Sequence, residues 1–269
     1  MKERNNTRGL FSKPVLALTL IISMFLSTAG FCTEKEIVVA GAPCLTDALE
    51  EISQQYEIKH TGVRVHLNLT ASGILQQQIE QGAPIDVFMS GSSVYMDKLD
   101  KKGLIDTNSK FIFAYNEIVL ATPKDSALKN WPDLTGKKVT KIAIGNPDTV
   151  SAGMYGKETL TYLKLWDSLQ GKLVMAENVR QALTYVQDKN VEAGILFKTD
   201  ALIGKNIKII ASAPADSHQS IEYPAAVIKA THHPAEAKQF LDFLKTSKAK
   251  NILKKYGFVL DKPKGKASK

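Results

Sequence analysis

Two α/β lobes are what the sequence predicts, and three observations carry that reading. Short β-branched runs alternate with helix-period stretches along nearly the whole chain. The units are too numerous for one small sheet and lack the eightfold regularity of a barrel. The alternation also breaks once, where Phe111–Phe113 and Glu117–Ala121 read as strands with no helix between them. A chain of 269 residues, 44% hydrophobic and 23% charged, is long enough to build a core in each lobe.

The elements follow in order. Ile37–Ala40 reads as a strand and Leu45–His60 as a helix. Val63–Leu69 and Gly73–Gln81 form the next pair, then Asp86–Ser90 and Ser92–Lys101. After the irregular pair of strands the pattern resumes with Lys141–Ile144 and a helix over Ser151–Leu165. Leu173–Ala176 precedes Val179–Asp188, and Ala193–Phe197 precedes a short helix at Thr199–Ile203. Lys208–Ala211 and Glu222–Ile228 are strands, and Ala235–Lys245 and Lys248–Tyr256 close the chain as helices. Repeated βα units imply parallel sheets covered on both faces and joined by right-handed crossovers.

The charge and the chain ends bound the function. The net charge is +8, but residues 1–29 and 261–269 each carry +3, which leaves 27 basic against 25 acidic residues between them. That near-neutral body has no basic stripe of the kind a phosphate backbone requires, so no nucleic acid is expected as a partner. Two cysteines are too few for a disulfide scaffold or a cysteine-rich zinc site. A basic start precedes an apolar run of 16 residues, Val15–Gly30, ending in small residues. A membrane span wants about 20 apolar residues. The layout is instead that of a signal peptide over residues 1–29, cut after Ser27-x-Ala29. The mature chain then works in the periplasm or otherwise outside the cytoplasm. Cys32 invites lipid anchoring, but Phe31 stands where lipoprotein signals carry a small residue. The tail at 261–269 reads as a disordered basic end.

Open sheets bind ligands at the carboxyl ends of their parallel strands. Four strand-to-helix turns stand out: VVAGAPCLTDAL with Cys44, LNLTASGIL with Ser72, IGNPDTVSAGMY with Ser151 and Ala152, and VMAENVRQAL with Asn178 and Val179. They offer small residues and free N–H groups at helix starts, which suit an anion. Every βα protein has such turns, so each alone is weak.

Taken together they are specific. VVAGAPCLTDAL, TASGILQQQIEQGAPIDVFMSG, IAIGNPDTVSAGMYGKETL, AENVRQALTYVQ, AGILFKTDA and DSHQSIEYPAAVIK run in order over nearly all of residues 36–260. In these segments the chain resembles the periplasmic molybdate-binding proteins of ABC importers. The resemblance implies a two-lobed periplasmic binding protein fold of type II. Its crossover strands would be Glu117–Thr122 and Glu222–Val227. Lobe one would be 33–115 plus 226–260, and lobe two 116–225. It also implies a monomer that captures molybdate or tungstate between its lobes, delivers it to a membrane permease, uses no cofactor and catalyses nothing.

Carried over by position, the resemblance places ligand contacts at Cys44, Ser72, the backbone N–H groups of Ala152 and Val179, and Phe197. Cys44 and Phe197 depart from the family's serine and tyrosine. A hydrogen bond to a charged group is worth about 1.5–3 kcal/mol. Losing both would weaken binding by roughly a hundredfold to ten-thousandfold. Three readings stay open: the same oxyanion bound more weakly or through water, a different anion or small molecule, or lost binding.

A cysteine at a helix start has a depressed pKa and can act as a nucleophile, but no histidine is expected beside Cys44 to serve as a base. A Cys32–Cys44 disulfide is disfavoured because the first strand separates the two. Asp86 is expected to hydrogen-bond to backbone, Asp200 to cap or to pair across the cleft, and Arg180 to form a structural ion pair. Trp131, Trp166 and the LTYLKLW stripe read as helical core.

Overall fold

The computed structural model describes residues 34–262, which belong to one compact unit beginning at Glu34. The expected signal segment, Cys32 with its anchor and disulfide, and residues 263–269 of the tail lie outside the described residues. Among the described residues no helix is long and apolar enough to cross a membrane.

The chain builds β1 (Lys35–Gly41), α1 (Thr46–Lys59), β2 (Val63–Leu69), α2 (Ser72–Glu80), β3 (Val87–Met89), α3 (Ser93–Lys101) and β4 (Phe111–Tyr115). It then makes β5 (Ile118–Pro123), β6 (Ile142–Gly145), α4 (Ser151–Tyr162), α5 (Trp166–Leu169), β7 (Leu173–Ala176) and α6 (Val179–Gln187). Next come β8 (Ala193–Phe197), α7 (Lys198–Ile203), β9 (Ile207–Ser212), β10 (Glu222–Val227), α8 (Pro234–Leu244) and α9 (Ser247–Lys255). Two five-stranded sheets result, ordered β2-β1-β3-β10-β4 and β7-β6-β8-β5-β9.

Neither sheet is all parallel. β1 runs parallel to β2 and β3, and β6 to β7 and β8. β10 is antiparallel to β3 and β4, and β5 is antiparallel to β8 and β9. The strands that enter each sheet from the other lobe are thus the reversed ones, because no crossover helix returns the chain to the starting edge. The lobe boundary expected between residues 225 and 226 differs from the observed one. All six residues of β10 pair in the first sheet, so the chain crosses back before Glu222. The two crossing segments meet where Asn116 N donates to Ile221 O at 3.3 Å.

Strand alternation divides the first core. Ile37, Val39, Val87, Met89, Ala225 and Val227 face one cluster, and Ala40, Phe88 and Ala226 the other. On the first face α1 lays Ala48, Leu49, Ile52 and Tyr56 inward, a helical stripe. The Tyr56 ring meets Phe240 and Phe243 of α8 edge-on at 5.2 and 5.6 Å. On the other face Leu75 and Ile79 of α2 pack with Met96 and Leu99 of α3. In the second lobe α6 buries Val179, Ala182, Leu183 and Val186. Trp131 is buried as expected, but Tyr162 of the LTYLKLW stripe stands exposed.

One glycine fixes how α4 meets its sheet. A Cβ on Gly153 would lie 1.9 Å from Gly145 O, so only glycine lets the first turn of α4 rest on the end of β6.

Candidate functional site

The carboxyl ends of β1, β2, β6 and β7 face one another across the two lobes, each followed by a helix start. Between them lies a small cavity. The structure brings all five sequence-derived residues together there: Cys44, Ser72, Ala152, Val179 and Phe197 line it. Ala42, Pro43, Ala71, Val150 and Ser151 complete the wall, so no charged side chain and no histidine borders it.

Each helix start is placed for a local reason. Pro43 opens a 3-10 turn, Pro43–Leu45, that carries Cys44 and runs into α1. Asn178 caps α6 by accepting from Gln181 N at 3.0 Å, which leaves Val179 as the first helical residue. The N–H groups of Ser72, Ala152 and Val179 have no acceptor within their helices, and none elsewhere among the described residues. The positive ends of three α-helices and of the turn leading into α1 therefore converge on one cavity.

Two side chains of the first lobe are prepared as donors. Ser72 Oγ accepts from Gly91 N at 3.0 Å, so the hydroxyl proton is left for the cavity. Cys44 is set by a chain of three groups. Asn116 Oδ1 accepts from Glu117 N at 2.9 Å, which turns Nδ2 toward Tyr223 Oη at 3.0 Å. Tyr223 Oη lies 3.2 Å from Cys44 Sγ, a contact in which either group can donate; with the phenol as donor, the thiol proton is free to point inward. Burial pushes the Cys44 thiol far above its ordinary pKa, with a smaller contribution from the charge of Asp200. The shift runs opposite to the depressed pKa expected of a cysteine at a helix start, because burial penalises the thiolate. Phe197, at the end of β8, presents only its ring.

The lobes touch around the cavity. Gly73 N donates to Thr149 O at 3.0 Å, Tyr95 Oη to Asp148 O at 3.2 Å, and Tyr155 Oη to Ser92 Oγ at 3.0 Å. Arg180 reaches from α6 to Asp47 of α1, Nη2 to Oδ2 at 2.5 Å. Its Nε lies 2.6 Å from Asp200 Oδ1 in its own lobe, in charge contact but without hydrogen-bond alignment. Burial pushes the Asp200 carboxyl up to about 7 against the pull of that guanidinium. Asp86 bonds to backbone, accepting from Val38 N at 2.7 Å, and also accepts from Thr231 Oγ1.

The profile of bacterial extracellular solute-binding proteins matches residues 37–259. The chain belongs to that family. It is 39% identical to YvgL of Bacillus subtilis, named as an ABC transporter substrate-binding lipoprotein, over 94% of this chain and 98% of the relative. It is 37% identical to the molybdate-binding protein ModA of Escherichia coli, over 89% of this chain and 95% of the relative. The periplasmic molybdate-binding protein of Azotobacter vinelandii superposes with a TM-score of 0.75 at 30% identity, covering 84% of this chain and all of that one. The α/β two-lobed architecture is the one these solute-binding proteins share.

The sequence placed Ser151 in a candidate turn without giving it a contact of its own, and it gave no sign of the Asn116–Tyr223 chain behind Cys44. Ser151 stands beside Ala152 in a turn already singled out, so its position was a signal. Asn116 and Tyr223 gave none, because they meet only through the crossing segments.

Proposed function

We propose that the protein captures molybdate or tungstate between its lobes outside the cytoplasm and delivers it to the membrane permease of an ABC importer. The observation that carries this reading is the donor-only cavity: helix-start N–H groups, the Ser72 hydroxyl and the neutral Cys44 thiol, with no charged side chain in the wall. A fully deprotonated tetrahedral dianion satisfies such a site. A protonated phosphate would bring a proton with no carboxylate in the wall to accept it. The cavity is small and suits a compact ion. Both halves of the site come from one chain, so a monomer suffices, and no cofactor is required. The thiol, buried and neutral, favours reversible binding over turnover. Phe31 before Cys32 favours release after cleavage over a lipid anchor, although YvgL is named as a lipoprotein.

Titration calorimetry on the ligand-stripped chain tests the reading with molybdate, tungstate, sulfate, phosphate and chromate. Molybdate and tungstate are expected to bind tightest and phosphate weakest. Heat from none of the five, or phosphate ahead of molybdate, sinks it and leaves a changed ligand as the better account of Cys44 and Phe197.

A further inference from the structure

The cavity wall holds one polar group that the donor set above does not use. Ser151 begins α4 and is 4% exposed, and its hydroxyl has no hydrogen-bond partner among the described residues. Native proteins rarely keep a buried hydroxyl unpaired without a ligand, a water or a functional reason. Ser53, Thr122 and Ser220 also have unpaired hydroxyls, but none of the three borders the cavity, whereas Ser151 does.

Its surroundings are arranged around that group. Across the cleft lies Gly91, where a Cβ would come within 3.2 Å of Ser151 Oγ. The bare Cα leaves the hydroxyl room. The same Gly91 donates its N–H to Ser72 Oγ. Two hydroxyls of the cavity wall, one from each lobe, thus flank one glycine, one with its lone pair engaged and the other wholly free.

We infer that Ser151 is a direct ligand contact and a specificity-determining residue, its hydroxyl donating to the bound oxyanion from the start of α4. The inference rests on the oxyanion reading of the cavity. It gives the second lobe the side-chain donor that Phe197 does not provide, supplied from a helix start instead of a strand end.

The test is molybdate titration into the ligand-stripped full chain, Ser151→Ala and Ser151→Thr, with thermal melting of each in the ligand-free state. Ser151→Ala is expected to weaken binding about 10- to 100-fold, the range for one hydrogen bond to a charged group. Ser151→Thr is expected to retain most of the affinity. Ligand-free Ser151→Ala should melt at or above the parent temperature, since it loses an unpaired polar group and no contact. Parental affinity in Ser151→Ala overturns the inference alone. A lower ligand-free melting temperature in Ser151→Ala, with Ser151→Thr weakened as much, makes the hydroxyl structural and also overturns it. A parent that binds neither molybdate nor tungstate removes the oxyanion reading and this inference with it.

Discussion

The two lobes share one strand plan and equip the cavity differently. β1 and β2 of the first sheet correspond to β6 and β7 of the second, and in each sheet the turns after these strands reach the cavity. The first lobe presents Cys44 and Ser72, whose polar side-chain atoms are engaged by Tyr223 and Gly91. The second presents Ala152 and Val179, whose side chains have no polar atom and whose N–H groups have no acceptor among the described residues, with the hydroxyl of Ser151 beside them. The lesson concerns vulnerability. A side-chain donor is removed by a single truncation, whereas a backbone donor is lost only when its helix is moved.

Two glycines separate these cases, and they carry the largest expected effects. Gly153→Ala would put a Cβ 1.9 Å from Gly145 O and lift α4 off β6. Overpacking of this kind costs about 1–3 kcal/mol or more. Thermal melting of the ligand-free protein should fall by several degrees, roughly the shift such a cost produces. Molybdate affinity should fall by about a hundredfold or more. Gly73→Ala acts across the cleft, where its Cβ would meet Thr149 Cα and O at 2.8 Å, both of them backbone atoms of the other lobe. It should reduce affinity about 10- to 100-fold by opposing lobe contact. Its ligand-free melting temperature should hold or rise, because alanine favours the α2 helix. A matched fall in melting temperature would mean that Gly73 serves its own lobe and not the approach of the two.

The same contrast explains what was legible in the sequence. Strand and helix positions followed from periodicity, and β2, β7 and β8 match the expected limits residue for residue. The βα strands pair parallel as expected, but each sheet also holds antiparallel strands, since which strand crosses lobes is a matter of topology and not of local pattern. At the site, Cys44 and Ser72 were visible because side chains are written in sequence. Ala152 and Val179 came only from the resemblance, since any residue type carries an N–H. The lobe-crossing hydrogen bonds of Asn116 were out of reach, because Thr199 and Tyr223 lie 83 and 107 residues away.

An intermediate effect is expected from restoring hydroxyls. Cys44→Ser replaces a weak donor with a stronger one at the end of the Tyr223 chain. Phe197→Tyr adds a donor to the same cavity wall as Ser151. Each should tighten molybdate binding, by up to about tenfold for a bond worth some 1.4 kcal/mol. The informative comparison is a double-mutant cycle. If Ser151 already serves the oxyanion on that side, Phe197→Tyr gains more in the Ser151→Ala background than in the parent. Equal gains in both backgrounds would mean that the two positions serve separate oxygens.

The smallest effect is electrostatic and lies behind the wall. Asp200 titrates near pH 7, and its charge is felt at the Cys44 thiol. Arg180 carries one positive charge against Asp47 and Asp200, so the three groups sum to zero with Asp200 protonated and to −1 once it ionises. A dianion in the cavity therefore meets added repulsion as pH rises through about 7, and molybdate affinity should weaken a few-fold between roughly pH 6 and 8. Linkage requires the reverse as well: bound dianion raises the Asp200 pKa, so binding near pH 7 takes up a fraction of a proton. Calorimetry in buffers of different ionisation enthalpy reads that uptake directly. Asp200→Asn should abolish the uptake and flatten the pH dependence. Uptake that persists in Asp200→Asn would assign the proton to another group and leave the Arg180 contacts as a purely structural tie between the lobes.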